Sequence, residues 1–324
     1  MPINPTSAAS ATDAHPAAAD SRPSAADAHS AAAVSEAQLP HIRLGPHSIS
    51  RLICGANTFN AGSHMSVFLN AEMRAYFTPQ QVLRTLRHCQ AVGINCWQAV
   101  MSNLEIYRRF VDEGGTMHFI SLDDASSDSV DALAAAGCIA IAHHGETTDQ
   151  LFKAGKLGDV RDYLKKVRDA GLQVGVSTHI PDVVDAIESA GWDIDFFMTC
   201  VYERHRSAEQ LQKLLGHVPL PVGEVYLADD PPRMYRAIRQ TPKPCLAFKI
   251  LAAGRLSDRP QTVEAAFAQA LASIKPTDAV IVGIYDRYSD QPAENAALVR
   301  RFAPAGRGMN SNPLPTSSHG FTVR

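Results

Sequence analysis

The chain has 324 residues, a formal net charge of −3 and 45% hydrophobic residues. That is enough apolar material for one large domain or two ordinary ones, and the near-neutral balance without a basic block argues against a nucleic-acid or polyanion partner. No run of 18 apolar residues is present, which argues against a membrane-spanning helix. Six cysteines without C-x-x-C spacing, five of them in or beside apolar runs, suit small buried hydrophobes in a reducing, cytoplasmic setting.

Residues 1–40 are rich in Ala, Ser, Pro and Asp and lack aromatics. They have neither a basic start nor an apolar stretch of signal-peptide type, so they read as a disordered leader. Residues 304–324 read as a disordered tail on the same grounds. Between them, in 41–303, short β-branched or aromatic runs alternate with helical patterns. The strand-like runs are "RLICGAN", "INCWQAV", "MHFISLD", "CIAIAHH", "QVGVSTH", "DFFMTCVYE", "CLAFKIL" and "AVIVGIYD". Between them lie segments with apolar residues at 3.6 spacing, such as "PQQVLRTLRHCQAVG", "VRDYLKKVRDAG" and "TVEAAFAQALASI". Gly93, Gly114, Gly137, Gly171 and Gly191 mark helix ends. The strands are continuous rather than alternating, as expected of parallel strands covered on both faces. Eight strand–helix units in about 250 residues match a single-domain (β/α)₈ TIM barrel. A doubly wound open sheet is the alternative, but "CGANTFNAG" is not the G-x-G-x-x-G turn that such a sheet uses.

A barrel puts function at the C-terminal ends of its strands. Asn57 follows the first strand, Gln98 ends the second and Asp123 the third. His143 and His144 end the fourth, His179 the fifth, Glu203 the sixth, and Tyr285 the eighth. Adjacent strands lie about 4.8 Å apart, so histidines and a carboxylate on strands four to six are neighbours. His143, His144, His179 and Glu203 form a candidate site for Zn²⁺, Fe²⁺ or Mn²⁺, with Asp123 as a fourth ligand or general base. The same groups suit metal-free acid/base work. His143 and His144 are consecutive, so one faces the barrel and the other the outer wall.

Lys249 lies inside the apolar run "AFKIL". Desolvated, it suits general-base or Schiff-base chemistry; paired with Glu203, it would be structural. Gly254 and Arg255 follow the seventh strand, where many barrels bind phosphate, and with Lys249 they suggest a small anionic substrate. His64 sits in "NTFNAGSHMSVFLNAEMRAYF", a long first connection of the kind that forms lids. "ADDPPRMYRAI" reads as a second such insertion.

Several of these stretches resemble aldo-keto reductases. "LGPHSISRLICGANTFN" is similar to the opening of that family, "VLRTLRHCQAVGINCWQAV" to its second unit, and "CIAIAHHGE" to the strand it ends on a histidine. "FKILAAGRL" and "AVIVGIYDRYSDQPAENAAL" are similar to its last two strands with their nucleotide-facing loops. The resemblance implies a (β/α)₈ barrel and an NAD(P)H-dependent oxidoreductase. Of the catalytic Asp, Tyr, Lys and His that it implies, the Asp position reads Gln98 and the Lys position Leu122 or Asp123. Tyr107 falls on a covering helix, and His143 alone aligns. The expectation is therefore an enzyme on a small polar substrate, using the histidine–glutamate cluster with or without a metal. The alternatives are an NADP-dependent reductase and a ligand-binding barrel without catalysis.

Overall fold

The computed structural model describes residues 38–124, 127–220 and 224–303. The expected leader up to residue 37 and the tail from 304 lie outside the described residues. Leu39 is already buried, 3.7 Å from where a side chain at Gly93 would stand.

The first structure is a hairpin that periodicity did not signal. Strands β1 (His41–Leu44) and β2 (His47–Ser50) pair antiparallel across Gly45, which takes a left-handed φ of 56°. Ile42, Leu44 and Ile49 join the cluster that fills the barrel interior, so the hairpin adds apolar side chains to the core that the strands enclose.

The barrel begins with β3 (Leu52–Gly55), followed by α1 (Val67–Tyr76) and α2 (Pro79–Ala91). The second half of the expected long loop is thus a helix, capped by the Ser66 hydroxyl, which accepts from the Leu69 amide. Next come β4 (Cys96–Val100), α3 (Leu104–Asp112), β5 (His118–Asp123), α4 (Ser127–Ala135) and β6 (Ala140–His143). Two helices follow β6: α5 (Gly145–Lys153), which the sequence pattern left as loop, and α6 (Gly158–Asp169). Then come β7 (Gln173–Thr178), α7 (Pro181–Ser189) and β8 (Phe196–Cys200). They are followed by α8 (Ala208–Leu215), α9 (Asp230–Gln240) and β9 (Cys245–Phe248). The last unit is α10 (Pro260–Ser273), β10 (Ala279–Gly283) and α11 (Gln291–Phe302). "PPRMYRAI" is not a lid: α9 buries Met234, Tyr235 and Ile238.

Strands β3 to β10 are all parallel and close in chain order, with β10 pairing back onto β3. This is the expected (β/α)₈ barrel. Ile53, Ile120, Ala142, Phe196 and Ile281 belong to the interior cluster, while Trp97, Phe119, Ile141, Val176 and Phe197 belong to the layer shared with the helices. Gly175 is required inside, because a Cβ there would lie 2.3 Å from the Phe196 ring. This alternation fixes which residues can reach the mouth. Among the described residues no helix is long and apolar enough to cross a membrane.

Candidate functional site

The alternation of β5 and β6 corrects two expected site residues. Ile120 and Ala142 point inward, Phe119 and Ile141 outward. Asp123 and His143 share the outward parity and sit opposite one another in register. Asp123 accepts hydrogen bonds from the Tyr163 phenol of α6 at 2.7 Å and from the Ser129 hydroxyl of α4 at 2.5 Å. The His143 ring lies against Tyr163, with centroids 5.3 Å apart, and its Nδ1 is 2.7 Å from Thr148 Oγ1 of α5. That hydroxyl spends its proton on the His144 carbonyl, so at His143 it accepts, and the ring carries its proton on Nδ1. Burial pulls the His143 imidazole down to about 4. These residues join barrel wall to helices and do not form the expected mouth site. His144 follows as the first residue outside α5; its side chain caps nothing.

At the mouth, His179 follows β7 and is buried. Its partner is Asp149 of α5, outside the expected set because "GETTDQLFK" lacks the apolar spacing that signals a helix. Asp149 accepts from the His179 Nδ1–H at 2.8 Å, the His179 backbone amide at 3.0 Å and the Thr178 hydroxyl at 2.5 Å. The carboxylate therefore sets the ring orientation and leaves Nε2 without a hydrogen bond among the described residues. Burial lowers the His179 imidazole pKa, against the opposing pull of Asp149. His205, in "ERHRS" beyond β8, is also outside the expected set, with its ring 5.1 Å from that of His179. Burial and the Arg204 charge hold it at about 4. Donor atoms of Asp149, His179 and His205 all lie within 4.8 Å of one another, a possible metal-binding cluster.

Glu203, expected in that cluster, is engaged elsewhere. It accepts from Arg233 at 2.7 Å and Arg206 at 3.2 Å, and Arg206 also binds the buried Asp230. An arginine three residues along and another on α9 outcompete a histidine for this carboxylate.

The third group is built on backbone that favours glycine. Lys249, just past β9, has φ 61°, and His64, in the β3–α1 loop, has φ 55°. Non-glycine residues hold that conformation only where their surroundings impose it. Lys249 donates to His64 Nε2 at 2.9 Å, and the His64 Nδ1–H donates to Glu224 at 3.1 Å. Arg204 is ion-paired with the same Glu224 oxygen. Asn57 also reaches His64 Nε2, at 3.3 Å. Burial pulls the Lys249 ammonium down from 10.5 to about 8. Burial alone would raise Glu224, but His64 and Arg204 outweigh it and bring the carboxyl to about 2. For His64 the Glu224 hydrogen bond raises the pKa; burial and the Lys249 and Arg204 charges outweigh it, and the net shift is downward.

Lys249 and His64 line a cavity of about 760 Å³ between the ends of β3, β9 and β10, a size typical of small-molecule sites. Its walls include Leu69, Met73, Ile250, Val263 and Leu298, with Asn57, Gln98 and Tyr285 among the polar lining. Gln98 Nε2 donates to the Ala99 carbonyl at 2.9 Å, and Tyr285 donates to Glu72 at 3.1 Å. Arg255, expected to hold an anion, instead donates to the carbonyls of His64 and Ala252 and stacks 4.1 Å from the Tyr226 ring centre. It anchors the loop that carries His64.

No family model matches the chain, and no curated protein matches it. Solved structures do. A truncated 3-deoxy-D-arabino-heptulosonate 7-phosphate synthase from Thermotoga maritima aligns over 82% of this chain and 91% of its own, at 13% identity and a TM-score of 0.48. A glycerol dehydrogenase from Gluconobacter oxydans aligns over 86% of this chain and 99% of its own, at 13% identity and a TM-score of 0.46. At these identities the likeness is one of fold alone.

Proposed function

We propose that the chain is an enzyme that moves protons on a small carbonyl compound bound at the barrel mouth. The observation that carries this reading is the hydrogen-bonded series Lys249–His64–Glu224, whose first two members line the cavity. A base within reach of a proton donor and oriented by a carboxylate is the arrangement of general acid/base catalysis. The apolar walls favour a substrate with an apolar body, and the engaged Arg255 weakens the case for an anionic one. A carbonyl group at Lys249 would be polarised by the ammonium, making its α-hydrogens acidic. The test is α-hydrogen exchange: butanal or pyruvate is incubated with the protein in D₂O and followed by proton NMR. Catalysed exchange that disappears in Lys249→Met supports the reading; exchange no faster than buffer sinks it.

A second reading is favoured by the Asp149–His179–His205 donors: a Zn²⁺, Fe²⁺ or Mn²⁺ ion held by two imidazoles. Asp149 is already committed to three hydrogen bonds, so it fits the role of a carboxylate behind a metal-bound histidine better than that of a ligand. Metal analysis of protein purified without chelator tests this, with stoichiometric metal lost in His205→Ala as the supporting result. In a nicotinamide-dependent reductase of aldo-keto-reductase ancestry, the cavity would hold the cofactor. That reading loses the one aligned catalytic residue, since His143 faces the helices.

A further inference from the structure

We infer that Lys249 is a nucleophile, forming a Schiff base with the carbonyl carbon of an aldehyde or ketone held in the cavity, with His64 carrying the protons. This rests on the acid/base reading above and adds a covalent intermediate to it. Three observations carry it. The geometry is that of an activated nucleophile: Lys249 Nζ lies 2.9 Å from His64 Nε2, and Glu224 fixes the opposite ring nitrogen. A lysine kept for structure would be expected to meet an acid, yet among the described residues no carboxylate lies within ion-pair distance of Lys249. Glu203, the partner its sequence position suggests, is taken by Arg206 and Arg233. Finally, the left-handed backbone at Lys249 and at His64 holds both side chains on the same cavity wall.

The reaction balances without an oxidant or reductant. His64 Nε2 takes one proton from the Lys249 ammonium, and the free amine attacks the carbonyl carbon, forming a C–N bond as the carbonyl π electrons move to oxygen. The oxygen takes up protons, one of them returned by His64 and one given up by nitrogen. It then leaves as water while the nitrogen lone pair forms the C=N bond. The protonated imine that results withdraws electrons from the neighbouring carbon more strongly than the carbonyl did, which is what proton removal there needs. Burial of Lys249 favours the free amine that starts the sequence.

The experiment is borohydride trapping on the full chain, with butanal and pyruvate as separate probes, read by intact mass and peptide mapping. The expected result is one reduced adduct per chain, mapped to Lys249 out of eight lysines. In His64→Gln, which keeps the amine, trapping at Lys249 should slow by about 10²-fold. Because the label is located in the unmodified protein, the test does not depend on Lys249→Met folding. Adducts spread over exposed lysines such as Lys213, or none at Lys249 while α-hydrogen exchange proceeds, would overturn the Schiff base and leave the acid/base reading standing. Absence of both trapping and exchange would overturn the two together.

Discussion

The outer wall and the mouth of this barrel use the same residue types to different ends. On the wall, Asp123, Tyr163, His143 and Thr148 close on one another between strands and helices. At the mouth, Lys249, His64 and Glu224 are just as firmly bonded, but two of them line a cavity of about 760 Å³. A buried histidine beside a carboxylate is therefore not by itself a sign of chemistry; an open side facing a cavity makes the difference. Lys249→Met tests the distinction most severely. Exchange of carbonyl α-hydrogens should fall by about 10²–10⁴-fold, while thermal stability at pH 7 does not drop, because a buried cation has been replaced by an apolar chain of similar length. A variant with the parent rate would erase the contrast.

The wall should answer in the opposite sense. Asp123→Ala strands the Tyr163 hydroxyl inside the wall, and urea unfolding should show a loss of about 1–3 kcal/mol. The exchange rate per folded molecule should stay within about twofold. A smaller effect is expected at the Asp149–His179 pair. If the two histidines hold a metal, Asp149→Asn should weaken zinc binding about 10- to 100-fold in a competitive chelator titration. Unchanged affinity would remove Asp149 from any metal role.

Most of the barrel was legible because parallel strands and their helices carry strong periodic patterns. The β1–β2 hairpin was not, since "HIRLGPHSIS" mixes polar residues with only three core-facing side chains. The site was legible by residue type and strand end but not by direction. His143 and His144 end one strand, so one of the two is expected to face the barrel, and the parity of His143 with the outward Ile141 decides that His143 does not. His179 lies just past β7, but its carboxylate is not Glu203, beyond the next strand. It comes instead from Asp149, on a helix of nine residues. His205 carried a usable signal, a third histidine just past a strand end. The pairing of His64 with Lys249 spans 185 positions and depends on a left-handed turn at each residue, so no local pattern could announce it.

Wall and mouth share an acid sensitivity whose effect vanishes at neutral pH, and a substitution at His143 isolates the wall's part of it. The His143 imidazole titrates at about 4 in the folded protein against an ordinary 6.5, because burial disfavours its charged form. Between those two values the unfolded chain holds more protons at this site than the folded chain. Stability therefore rises with pH across that window, and is lost as the solution is acidified from 6.5 toward 4. His205 behaves alike at the mouth, also near 4. In His143→Asn, whose side chain still offers a donor to Thr148, only the wall's share of this slope should disappear, leaving that of the mouth histidines. The measurement is chemical unfolding of both proteins at several pH values between 4 and 7.5. The two curves should converge toward the acid end and run parallel above 6.5; curves parallel throughout would mean that His143 is open to protons from solvent.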